Sequence, residues 1–112
     1  MADTTIKKVS SQYSPQGNMG QKYLASGKHL SMRLWEQVPP ETPSRPSQRE
    51  YETVGYALEG QAELHLESQM VLLNPGDCWV VPKGASHFFR IIKPFTAIEA
   101  TSPPSHIHGR DD

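Results

Sequence analysis

Between residues 61 and 67 apolar and polar side chains alternate without a break. Ala62, Leu64 and Leu66 fall on one side; Glu63, His65 and Glu67 fall on the other. A period of two is the mark of a strand with one face buried and the other in water. The same period runs through 29–37, with Leu30, Met32 and Leu34 on one face and Ser31, Arg33 and Trp35 on the opposite one. Together with 21–25, and a turn at Ser26-Gly27, this predicts a hairpin. Residues 49–58 predict a further strand, joined to 61–67 through Glu59-Gly60. Three more follow at 69–73, 78–81 and 86–92, set apart by Asn74-Pro75-Gly76 and Pro82-Lys83-Gly84, and a last one near 95–100. The four prolines of 39–48 exclude both a helix and a central strand there and predict a loop. No stretch of ten or more residues carries a helical period. About eight short strands punctuated by turn residues predict an all-β fold: a sandwich, jelly roll or small barrel.

Composition narrows the picture in a few ways. Ten prolines and eight glycines in 112 residues agree with many short strands. A net charge of −1, with acids and bases interspersed, offers no basic footprint for nucleic acid. No apolar run approaches the roughly 20 residues of a membrane helix, and the first residues lack the apolar segment of a secretory signal. The expectation is a soluble cytoplasmic protein with no membrane partner. The single cysteine, Cys78, excludes an internal disulfide and is expected to pack as a small apolar residue.

One spacing is more specific. Gly76-x5-Pro82-x-Gly84-x2-His87 resembles the second motif of the cupin family, and "ETVGYALEGQAEL" is similar to the close of the first motif. The 15 residues between Gly60 and Gly76 match the short spacer of small bacterial cupins, and the likeness extends over roughly 29–100. The resemblance implies an all-β, cupin-type jelly-roll barrel (a double-stranded β-helix, RmlC-like) in a single domain. The polarity and strand pattern divide the chain into a polar N-terminal arm at 1–20, the cupin barrel at 21–102 and a polar C-terminal tail at 103–112. The resemblance also implies a homodimer, and Trp35, on the face of Ser31 and Arg33, is expected with Trp79 at its interface; the alternative has Trp35 closing the barrel end.

The resemblance implies a metal only where the first motif is complete, and here it is not. In H-x-H-x3-4-E-x6-G, counting back from Gly60, the glutamate position holds Thr53. The histidine positions hold Ser47 and Arg49, or Pro46 and Gln48 with the longer spacer. Ile91 stands where the second motif ends in asparagine. Of the four ligands, His87 alone remains, so no metal of the family's type is expected. A divalent ion would need a rebuilt site of His87 with His106, His108 or His29.

Two classes of function follow. The first is a module binding a small molecule in the barrel, with His87, Tyr51, Arg49 and Phe89 as ligand-binding residues and no cofactor. The alternative is a small enzyme acting on a sugar or organic acid. It would be metal-dependent through the rebuilt histidine site, or metal-free with His87 as base and Tyr51 as acid, the pair that proton transfer beside a carbonyl needs. The resemblance to metal-free cupins that act on nucleotide sugars implies the latter pair; apart from it, the catalytic residues are unknown.

Overall fold

Two long strands organise the molecule. The computed structural model describes residues 4–43, 45–107 and 110–111. Among these, six strands follow a short 3-10 turn at Ser11–Tyr13: β1 (Lys22–Ser26), β2 (Ser31–Val38), β3 (Glu52–Leu66), β4 (Gln69–Leu73), β5 (Cys78–Val81) and β6 (His87–Ser102). β3 and β6 run antiparallel over their whole lengths, from Glu52 opposite Ser102 to Leu66 opposite His87. β1 and β2 extend one side through β6, in the order β1-β2-β6-β3. β5 pairs with the first half of β3 and β4 with its second half. The two halves of the β3/β6 ribbon thus belong to the two walls of a jelly roll.

The expected count of eight strands is therefore six, because two predicted turns are bends inside a strand. At Glu59-Gly60 the register against β6 shifts but pairing continues. Gly60 takes a φ of +86°, and a Cβ there would lie 1.9 Å from the Pro94 carbonyl oxygen. Glycine is what lets the two long strands pass each other at the bend and so curl the ribbon into a barrel. The segments 86–92 and 95–100 are likewise one strand.

Alternation within β3 holds as expected: Ala62 and Leu64 are buried, with Leu73, Trp79, Val81, Ile91 and Phe95 in the same core. In β2 the apolar rule fails. Ser31 and Arg33 face inward, whereas Leu30 and Met32 are exposed. The inward face carries Arg33 because its partners lie inside.

The 39–48 loop is irregular but not free. Glu41 exchanges both backbone hydrogen bonds with Ile91, and Ser47 exchanges both with His87, so the loop lies along the first half of β6. The Arg49 carbonyl accepts from the Gly84 N–H at 2.9 Å. These pairings bring Ser47 beside His87 and Glu41 beside Ile91. Cys78 is exposed rather than packed, because its position in β5 points to the outer face.

Candidate functional site

The inward residues of four strands form one lateral row. Arg33 on β2 pairs with Glu99 on β6, Glu99 with Gly55 on β3, and Gly55 with Trp79 on β5. Trp35 lies two residues along β2 from Arg33, beside Ala97, which in turn pairs with Ala57. The small side chains at 55, 57 and 97 leave space that the two indoles and the guanidinium share. Gly55 makes room for Trp79: a Cβ there would lie 2.2 Å from Cζ2 of Trp79, so the indole crosses directly over its backbone.

Each polar side chain in the row has a partner inside the protein, and Arg33 Nη2 is the group there that makes no hydrogen bond among the described residues. Glu99 Oε1 accepts from Arg33 Nε at 2.7 Å and from Trp35 Nε1 at 2.6 Å; Oε2 accepts from Trp79 Nε1 at 3.4 Å. Arg33 Nη1 donates to the Tyr51 hydroxyl at 2.8 Å and to Asp111 Oδ1 at 3.0 Å. Tyr51 donates its own proton to Asp111, and Tyr23 donates to Asp111 Oδ2 at 2.8 Å. The guanidinium also lies 5.3 Å from the Trp35 ring centre and 5.2 Å from that of Tyr51, within cation–π range. Tyr51 is 1 % exposed, Glu99 2 %, and Arg33 and Asp111 6 % each, so these charges sit in the interior. Two carboxylates face one guanidinium there. The surplus negative charge is held by two indole N–H and two phenol O–H donors.

The electrostatics follow from that packing. Burial disfavours the Asp111 carboxylate, but the hydrogen bond from Tyr51 and the charge of Arg33 outweigh it and hold the group below its ordinary value. Burial pushes the Tyr51 hydroxyl upward; Arg33 pulls it back, but the bond to Asp111 adds to the rise and the phenol stays protonated. Burial alone would lower the Arg33 guanidinium, and Glu99, Tyr51 and Asp111 together raise it instead.

Above this base opens a cavity of about 220 Å³. Arg33, Tyr51 and Glu99 lie at its bottom. Trp35, Trp79, Phe88, Phe89, Phe95, Val38 and Ile91 form its walls, and Met19, Glu41, Pro43, Arg45, Ser47, Arg49 and His87 its more exposed mouth. Phe89 meets Trp79 edge-on at 5.8 Å and His87 at 6.2 Å. His87 Nδ1 lies 3.0 Å from the Ala85 carbonyl oxygen. A carbonyl only accepts, so Nδ1 carries the proton, and in the neutral ring Nε2 is left as an acceptor.

Residues 34–101 match the family model described as Cupin domain. This chain belongs to the cupin family. The cupin barrel superposes on KdgF from Halomonas sp. with a TM-score of 0.74, at 22% identity over 87% of this chain and 94% of that one. An RmlC-like cupin from Shewanella frigidimarina gives a TM-score of 0.73 at 15% identity, over 88% and 92% of the two chains. The DMSP lyase DddQ from Ruegeria pomeroyi gives 0.65 at 24% identity over 85% of this chain and 54% of that one. At these identities the likeness is one of fold. By sequence, an uncharacterised protein of Aquifex aeolicus is 36% identical over 62 residues, which are 55% of this cupin and half the length of that relative.

The four residues expected to bind a ligand, His87, Tyr51, Arg49 and Phe89, all line the one cavity. They do not have equal access to it: Tyr51 is sealed at the base with its hydroxyl engaged, whereas His87 and Arg49 stand half-buried at the mouth. Trp35 and Trp79 are not at an outer interface. Their indoles point inward because Glu99 draws both N–H groups.

A metal does not fit the described residues. At the three positions where the cupin motif would supply ligands stand Thr53, Ser47 and Arg49, and the fixed charge of Arg49 repels a cation. Glu99, the carboxylate at the cavity base, already accepts from Arg33, Trp35 and Trp79. No three His, Cys, Asp or Glu among the described residues are grouped to hold an ion. Of the rebuilt site, His106 is exposed with its ring 5.2 Å from that of Tyr23, His29 is exposed beyond the barrel, and His108 lies outside the described residues.

Arg33, Glu99 and Asp111 were not among the expected site residues. Arg33 had a signal: an arginine in the alternating face that also holds Trp35. Glu99, alone between Ala97 and Thr101 in an apolar strand, had a fainter one. Asp111 had none.

Proposed function

We propose that this cupin binds a small organic molecule in the barrel cavity, without a metal. The observation that carries the reading is a cavity of about 220 Å³ walled by aromatic side chains and built on a base whose polar groups, Arg33 Nη2 apart, are already paired. Such a base needs no ligand to be stable, so it is organised in advance, and an organised site loses less entropy on binding. The same surroundings tell against Tyr51 as a catalytic acid, since its proton is committed to Asp111.

The chain has two tryptophans, and both line the cavity. Their indole N–H signals in a nitrogen-15 NMR spectrum are therefore direct reporters of occupancy. A fragment library should contain compounds that shift both signals together, saturably. If fragments bind only elsewhere, or none moves either indole signal, the reading is wrong.

A further inference from the structure

The cavity is chemically divided, and the division selects a ligand. Its base offers almost nothing to a newcomer: Glu99, Arg33 and Tyr51 are bonded to one another, to the indoles and to Asp111. Its walls are aromatic and aliphatic carbon. The unspent polar capacity is at the mouth. Arg49 has a thioether for partner, donating from Nη2 to Met19 Sδ at 3.3 Å, which is a weak acceptor for a guanidinium. Among the described residues neither Arg49 nor Arg45 forms an ion pair with a carboxylate. Two guanidinium groups with free donors thus border a carbon-lined hole, with Glu41 as the only acid at the mouth among the described residues.

Resting on the binding reading above, we infer that the ligand is a compact carboxylic acid with a single apolar ring. Its carboxylate is held by Arg49 and Arg45, and its ring lies between Trp79, Phe89 and Trp35. Planar guanidinium groups suit a carboxylate, which they grip through paired N–H donors. Size agrees: an apolar cavity of about 150 Å³ holds benzene, and about 220 Å³ leaves room for a ring and a short acid arm. A polyhydroxylated acid of the same charge fits poorly. Its several hydroxyls would lose water against carbon walls and meet a base whose one uncommitted group is Arg33 Nη2.

The experiment is a titration of the purified full chain, read by the two indole N–H signals, with three probes: phenylacetate, phenylacetamide and glucuronate. Phenylacetate should bind at least about tenfold more tightly than either of the others, the ratio expected of a charge-assisted contact and an apolar fit. Arg49→Gln should weaken phenylacetate about tenfold and narrow its preference over phenylacetamide, and an undiminished preference would overturn the assignment of Arg49. Arg45→Gln, checked for an unchanged melting temperature, provides an independent variant. Equal binding of the amide would overturn the carboxylate assignment, and tighter glucuronate would overturn the apolar ring. If none of the three binds while other fragments shift the indole signals, this inference falls and the binding reading stands. If nothing at all shifts them, both fall.

Discussion

Gly55→Ala is the smallest change that tests how the site is built. Its backbone is outside the left-handed region, so alanine is tolerated there and the cost comes from the side chain alone. The new methyl would lie 2.2 Å from Trp79 Cζ2, 2.3 Å from Cε2 and 2.7 Å from Nε1. Carbon atoms pack at roughly 3.5–4.0 Å, so the indole must retreat by more than about 1 Å. Phe89 and Phe95 stand at 5.8 and 6.2 Å between ring centres and resist that movement. Overpacking of this kind costs about 1–3 kcal/mol. The bond to Glu99, already 3.4 Å, breaks and adds about 1.5 kcal/mol, the low end for a charged acceptor. Alanine returns about 0.5–1 kcal/mol through lower chain entropy in the unfolded state. The net loss is about 1.5–4 kcal/mol. Urea denaturation followed by far-ultraviolet circular dichroism measures it without relying on the tryptophan itself. The same substitution in a Trp79→Ala background should be neutral or mildly stabilising, because the obstruction is gone. Equal costs in both backgrounds, or less than about 0.5 kcal/mol in the parent, would refute the crowding argument.

Other outcomes follow from the same geometry. Asp111 has a depressed folded-state pKa, so its contribution to stability is present above about pH 4, the unfolded value, and is lost as pH falls through the folded one. Asp111→Asn should lower stability by about 3 kcal/mol near neutrality and flatten the acid limb of melting temperature against pH; an unchanged limb would mean that other carboxylates cause it. Tyr51 has the opposite sign: its raised pKa gives stability that is full below about pH 10 and declines above it, and Tyr51→Phe should remove that alkaline decline. Glu99→Gln removes the nearest charge partner of buried Arg33 and should cost about 3–5 kcal/mol by chemical denaturation; a cost under 1 kcal/mol would show that Asp111 alone suffices for Arg33. A homodimer should form on the outer sheet face, where Met32, Ala100, Val54 and Val80 make one uncharged row across four strands with Val54 47 % and Val80 53 % exposed. Light scattering should give twice the chain mass for the parent and the chain mass for Val54→Glu, and a parent monomer would rule that interface out.

The fold was legible where local pattern and tertiary demand agree. The alternation of 61–67 and the glycines at 76 and 84 are local signals, and strand positions there match. Glu59-Gly60 misled because a glycine at positive φ serves a turn and a bulge equally well, and the choice depends on Pro94, a residue far along the chain. In β2 the pattern showed the period but not its direction. Burying Arg33 in preference to Met32 makes sense only once Glu99 and Asp111 lie opposite, 66 and 78 residues away. The mouth residues Arg49 and His87 were legible because motif spacing places them. Asp111 was not, since nothing in a polar tail marks one carboxylate for burial.

The position of Asp111 also bears on the choice between a binding module and an acid–base enzyme. Both use His87 and Tyr51, and both place them on one cavity. They differ in what they ask of the Tyr51 proton. Catalysis requires the phenol to give it to a substrate, yet that proton is held by a carboxylate which two further donors, Arg33 and Tyr23, keep in place. A substrate would have to displace Asp111 from all three, and the displaced charge would leave Arg33 short of one of its two carboxylate partners in the interior. Binding makes no such demand. The base stays closed, the aromatic walls supply contact, and the arginines and His87 Nε2 at the mouth keep their capacity for a partner from outside. The proposal of recognition rather than proton transfer therefore rests on the committed Tyr51 proton below and the uncommitted donors of Arg49 and Arg45 above.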